Sequence, residues 1–146
     1  MTTSPPAYDP NNIFAKILRG EFPCHKVYED AKSFVFMDIM PRVEGHALVV
    51  PKAPSRNILD ADPDDLAHIL GVAQKVARAA MTAFAADGIS ISQFSESAGG
   101  QVVFHTHFHV LPRHTDVEMR PPGIQADNGL LEEHARKLSE ALASAG

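Results

Sequence analysis

His105-Thr106-His107-Phe108-His109-Val110-Leu111 is the stretch on which the fold turns. In an extended chain, residues two apart point to one face, about 6.6 Å from each other. His105, His107 and His109 then share one face, while Phe104, Thr106, Phe108 and Val110 share the other. Three imidazoles in strict alternation are costly on a core strand unless each finds a hydrogen-bond partner. A row of this kind reads as chemistry, where a single strand histidine would read as packing.

Outward from that row, the pattern predicts a long strand over 101–111, stopped by Pro112. A turn at 97–100 and a strand over 89–95 precede it. Asp62 and Pro63 mark the start of the longest helix, with Asp62 as N-cap and Pro63 in the first turn. Its apolar stripe runs from Leu66 through Ile69, Ala73, Val76 and Ala80 to Phe84, and Gly88 closes it. Upstream lie short strands near 26–28, 33–37 and 46–50, with a Pro- and Gly-punctuated loop over 38–45. A short helix over 12–19 ends at Gly20, and an exposed C-terminal helix is expected over 129–143. The fold class is α+β: an antiparallel sheet of about five strands with one long helix, one short helix and a C-terminal helix. Residues 1–11 read as a flexible arm, 12–114 as the domain and 115–146 as a C-terminal extension.

The 146 residues suit one domain, and 45% hydrophobic with 21% charged residues is ordinary globular composition. A net charge of −5 excludes a general nucleic-acid backbone binder. No apolar run approaches the ~20 residues that span a bilayer, so no membrane partner is expected. The opening residues carry no basic and apolar leader, which makes cytoplasm the expected location. Cys24 is alone and reads as a packing residue. His25, His68, His114 and His134 fall outside the row and read as solvated.

Two chemistries compete for the row. His-x-His can present two imidazoles to one metal ion, with His46 or a carboxylate as third ligand, but no Cys pair or His-Glu spacing supports this. Phosphorus chemistry is the alternative, in which a neutral imidazole attacks and its neighbours stabilise the developing charge. Gly99-Gly100 just upstream permits close backbone approach, so its N–H groups are candidates to cradle a phosphate.

With these residues, the sequence resembles the histidine-triad (HIT) family of nucleotide-binding proteins, whose triad is His-φ-His-φ-His-φ-φ. Thr106 is a less apolar occupant of one φ place. Ile13–Pro23, Val27–Glu29, Phe36–Pro41, Gly45–Lys52 and Ala98–Gln101 also resemble family blocks in family order. The resemblance implies a homodimer with one sheet continued across two subunits, and a pocket for a purine nucleoside monophosphate. It implies that His107 is the nucleophile of a nucleotidyl-histidine intermediate, and that His109 meets the phosphate or leaving group. His105 and His46 would orient and polarise the site. Asp38 would bind the ribose hydroxyls, Gln101 and Ser95 would lie near the phosphate, and Ile13, Phe14 and Ile39 would wall the base. No cofactor is implied.

Three departures stand out. The Cys-x-x-Cys pair that binds structural zinc in many bacterial members reads Asn12-Ile-Phe-Ala15, so neither zinc nor another metal is expected. The family's frequent Gln-Phe-Asn-Gly reads Gln93-Phe-Ser-Glu96, adding a negative charge beside the cradle. Val102 stands where Ser or Thr often contacts phosphate. The activity implied is hydrolysis of nucleoside 5′-phosphoramidates or related nucleotidyl bonds. The rivals are a dinucleoside polyphosphate hydrolase and a nucleotide-binding interaction protein with incidental turnover.

Overall fold

Among the described residues five strands and three α-helices form, in the chain order α1 (Ile13–Leu18), β1 (Lys26–Glu29), β2 (Ser33–Met37), β3 (Ala47–Pro51), α2 (Pro63–Ala83), β4 (Gly88–Ser92), β5 (Phe108–Arg113) and α3 (Asn128–Ser144). This computed structural model describes residues 6–145; Met1–Pro5 of the expected arm and Gly146 lie outside them. The strands make one antiparallel sheet in the order β1-β2-β3-β5-β4, as the α+β reading expects.

Period-two alternation sorts the sheet into two faces. Val35 and Met37 of β2, Ala47 and Val49 of β3, and Val110 of β5 join Ile69, Val72, Ala73 and Val76 of α2 and Leu131 and Leu138 of α3 in the main core. Phe34, Phe36, Leu48 and Val50 point the other way and pack against Phe14 and Ile17 of α1. His109 lies opposite Leu48 in the β3–β5 register, which puts it on the α1 side. The site is thus built on the thinly covered face, with the larger core behind it.

Capping explains where two helices start. The Asn12 side chain accepts the Ala15 N–H and the Asp62 side chain accepts the Asp64 N–H. A six-residue α1 could not persist alone, and the burial of Phe14, Ala15 and Ile17 holds it.

Five sequence expectations need correction. The strand expected over 101–111 forms only from Phe108, and it runs through Pro112 to Arg113. Residues 101–107 find partners in a loop: the Thr106 N–H donates to the Ser55 carbonyl at 2.9 Å. Pro112 is tolerated because the β3 ladder ends at Val110 and only β4 runs beside it. The long helix ends at Ala83, so Gly88 opens β4 instead of closing α2, and β4 stops at Ser92. The C-terminal helix is docked, burying Leu131, His134, Ala135 and Leu138. His134, expected in solvent, is only 8% exposed and meets the Phe84 ring edge-on at 5.3 Å.

Gly45, one residue before His46, has φ +81°, and a Cβ there would sit 2.6 Å from the Phe84 ring. That ring also packs edge-on with His134 and under Lys137, which limits its freedom to yield. Gly45→Ala is expected to cost about 2 kcal/mol through strain and overpacking, read as a lowered midpoint in urea unfolding.

Candidate active site

The loop–strand junction at 105–109 brings the triad together although only His109 belongs to a strand. His107 and His109 have ring centroids 4.9 Å apart, and the Phe14 ring meets His107 edge-on at the same distance. His46, the residue before β3, places its Nε2 2.9 Å from His109 Nδ1. Asp38, at the end of β2, accepts the Met40 N–H on Oδ1 at 2.8 Å and holds Oδ2 3.6 Å from His46 Nε2. The His105 ring is turned elsewhere, with Nε2 2.8 Å from the Pro51 carbonyl and Nδ1 2.7 Å from the Tyr8 hydroxyl.

Burial keeps these rings neutral. Desolvation pulls His46 and His105 down to about 4 and His109 down to about 3, with neighbouring positive charge adding to the effect at His46 and His109. His107 is also lowered by burial, opposed by its bond to the His105 carbonyl. The same burial raises the Asp38 carboxyl.

A neutral imidazole carries one N–H, so each backbone partner dictates a tautomer. His107 Nδ1 lies 2.6 Å from the His105 carbonyl, which can only accept; Nδ1 therefore holds the proton and Nε2 keeps its lone pair. His46 Nδ1 accepts the Arg42 N–H at 3.0 Å, so its Nε2–H donates to His109 Nδ1. His109 is thereby left with a hydrogen on Nε2. One ring is set up to attack and its neighbour to donate.

Asp38, His46 and His109 place possible ligand atoms within 4.8 Å of one another. The chain of donors argues against a metal, because His46 Nε2 is protonated and has no lone pair to give. The zinc implied for Cys-x-x-Cys members does not fit either. Asn12 is occupied as a cap, Ala15 offers no ligand, and both His105 ring nitrogens are bound.

The loop before the triad differs from expectation. The Gly99, Gly100 and Gln101 N–H groups donate to the carbonyls of Glu96, Ser97 and Glu96, so these amides are not free to cradle a phosphate. The Gln101 side chain is spent too: its carbonyl accepts from the Glu96 N–H and Asn57, and its amide donates to the Arg56 and Val103 carbonyls. It locks the loop. Ser95 donates to Gln93 at 3.2 Å. Glu96 does not leave a loose charge near the site, because Arg56 binds its carboxylate through two nitrogens at 2.8 and 3.0 Å and Asn57 adds a third donor. That clamp holds Glu96 at φ +63°, a backbone shape glycine adopts freely and other residues rarely do. Arg56 also stacks 4.1 Å over the Phe104 ring.

Of the expected base wall, Phe14 touches His107, Ile13 packs half-buried at the edge of the α1 core, and Ile39 is largely exposed. Tyr8, Arg56, Asn57 and Phe94, whose ring lies 5.5 Å from His109, were not singled out from sequence. Their partners lie 15 to 97 residues away along the chain, and no local pattern signals such pairings. His68 pairs with Asp30 at 3.0 Å, and His114 donates to the Phe84 carbonyl, so both are anchored.

The depressed histidines carry a stability signature. Below the ordinary value of 6.5 the unfolded chain binds protons that folded His46 and His105 refuse until about 4. Stability is therefore full above pH 6.5 and is lost as pH falls toward 4, with the raised Asp38 opposing in part. Thermal unfolding from pH 8 to pH 4 should show a plateau and then a steady fall in Tm; a flat profile across 6.5 to 4 would contradict buried neutral rings.

A family model of the HIT domain matches residues 19–116. A crystal structure of a Hit-like protein from Bartonella henselae superposes with a TM-score of 0.90 and 49% identity, covering 93% of this chain and 99% of that one. The adenosine 5′-monophosphoramidase hnt1 of Schizosaccharomyces pombe is 36% identical over 69% of this chain and 73% of its own length. Adenylylsulfatase HINT3 of Arabidopsis thaliana is 35% identical over 69% of this chain, which spans only about half of that protein (51%). The family therefore includes nucleotide hydrolases, and by domain match and structural likeness this chain belongs to the HIT family.

Proposed function

We propose that this protein cleaves nucleoside 5′-phosphoramidates or related nucleotidyl bonds through a covalent nucleotidyl-His107. The observation that carries the reading is the His107 tautomer: Nδ1–H committed to the His105 carbonyl, Nε2 free. Nε2 attacks the α-phosphorus, and the bond from phosphorus to the leaving nitrogen breaks. The nitrogen departs as the amine, taking a proton delivered along the His109 Nε2–H and replaced at that ring from solvent. Water then adds to phosphorus and gives up one proton to solvent, the bond to Nε2 breaks, and the nucleoside monophosphate leaves as the ring regains its lone pair. Asp38, with oxygen lone pairs still open, suits the ribose hydroxyls, and Phe14 and the exposed Ile39 suit a purine.

The fold also supports a homodimer. β4 is an edge strand, and Ile91 on it and Phe94 just beyond its end expose apolar surface. Joining two β4 edges would continue the sheet. Sedimentation should give a dimer for the wild type and a monomer for Ile91→Lys; a monomeric wild type would end this reading.

The catalytic test pairs adenosine 5′-phosphoramidate with diadenosine polyphosphate, using wild type and His107→Ala. The wild type should release AMP faster from the phosphoramidate, and His107→Ala should lose about 10³-fold or more in kcat. Faster cleavage of the polyphosphate would change the substrate class. Nucleotide binding without turnover would leave a binding role instead.

A further inference from the structure

We propose that Tyr8 is a positioning residue for His107, acting through the ring and the carbonyl of His105. The inference rests on His107 being the nucleophile. It adds a segment upstream of residues 19–116, the stretch matched as HIT domain.

The hydrogen-bond directions follow from one acceptor. The Pro51 carbonyl, 2.8 Å from His105 Nε2, can only accept, so Nε2 carries the ring hydrogen and Nδ1 presents a bare lone pair. Tyr8 Oη lies 2.7 Å from that lone pair and donates to it, with the two rings edge-on at 5.7 Å. With Tyr8 in place His105 is 1% exposed, so the phenol rather than solvent supplies its hydrogen. The carbonyl of the same residue holds the His107 Nδ1–H at 2.6 Å. Tyr8, the His105 ring, the His105 carbonyl and His107 thus form one line of contacts.

The segment that delivers Tyr8 is itself fixed. Asp9 accepts the Asn11 N–H on its side chain and the Asn12 amide on its carbonyl, and Arg19 donates to the Pro10 carbonyl. Asn12 then caps α1, which carries Phe14 onto the His107 ring. Residues 8 and 14 therefore press on His105 and His107 from a single braced turn. Without the phenol hydrogen, the His105 lone pair is stranded. The ring relieves it by swinging or by changing tautomer, and either motion disturbs the carbonyl that keeps His107 in its attacking form.

Tyr8→Phe keeps the aromatic contact and deletes only the donor. The test measures kcat and KM on adenosine 5′-phosphoramidate for full-length wild type, Tyr8→Phe and His107→Ala. Alongside, 15N NMR of the histidine rings reads their tautomers. Tyr8→Phe is expected to lower kcat about tenfold, with KM within about twofold and the fold intact. The His107 nitrogen signals should move away from a pure Nδ1–H tautomer. An unchanged kcat with a dead His107→Ala would overturn the role of Tyr8 and leave the proposed function standing. If the wild type does not turn over, the proposed function fails, and the NMR arm decides alone: shifted His107 nitrogens support the positioning, unshifted ones overturn it.

Discussion

A proton on any ring of the histidine cluster would be a charge shut away from water, beside other rings competing for the same donors. Desolvation therefore keeps His46, His105 and His109 neutral, and neutrality has a structural consequence beyond charge. Each ring has one donor and one acceptor, and the peptide groups of Pro51, His105 and Arg42 decide which nitrogen is which. The rest of the site is arranged around that constraint. α1 seals one side, the turn into β3 supplies His46, and the 55–57 loop braces the approach to the triad.

Much of this was legible in the sequence because it depends on local periodicity. Alternation placed Phe108 and Val110 on the face opposite His109, where they join the main core while His109 faces the α1 side. Asn12 and Asp62 announced two helix starts through side-chain chemistry that needs no distant partner. The family resemblance gathered His46, Asp38 and the triad; the structure brings His46, Asp38, His107 and His109 within contact of one another, and His105 joins them through its carbonyl.

The misses share a cause. Residues 101–107 alternate as a strand would, yet their backbone and side chains pair with Ser55, Arg56 and Asn57, some 45 residues earlier. Periodicity reports which faces are apolar and says nothing of which segment lies alongside. Glu96 in a glycine-like conformation looked like a weakened cradle because Arg56, which offsets its strain and charge, is 40 positions away. α3 looked exposed because its buried stripe is narrow, and His134 on it reads as polar until Phe84 is beside it.

Phe84 itself has a mechanical significance. It caps α2, its carbonyl receives His114, its ring meets His134 of α3, Lys137 lies over it at 5.5 Å, and the bare Cα of Gly45 rests against it. The residue after Gly45 is His46. One phenyl ring is thus the hinge pin where both long helices bear on the backbone that carries a site histidine. Strain entering through the C-terminal helix has a path of only two van der Waals contacts to the backbone of the candidate site, which makes that helix part of the site's alignment although it packs on the opposite face of the sheet.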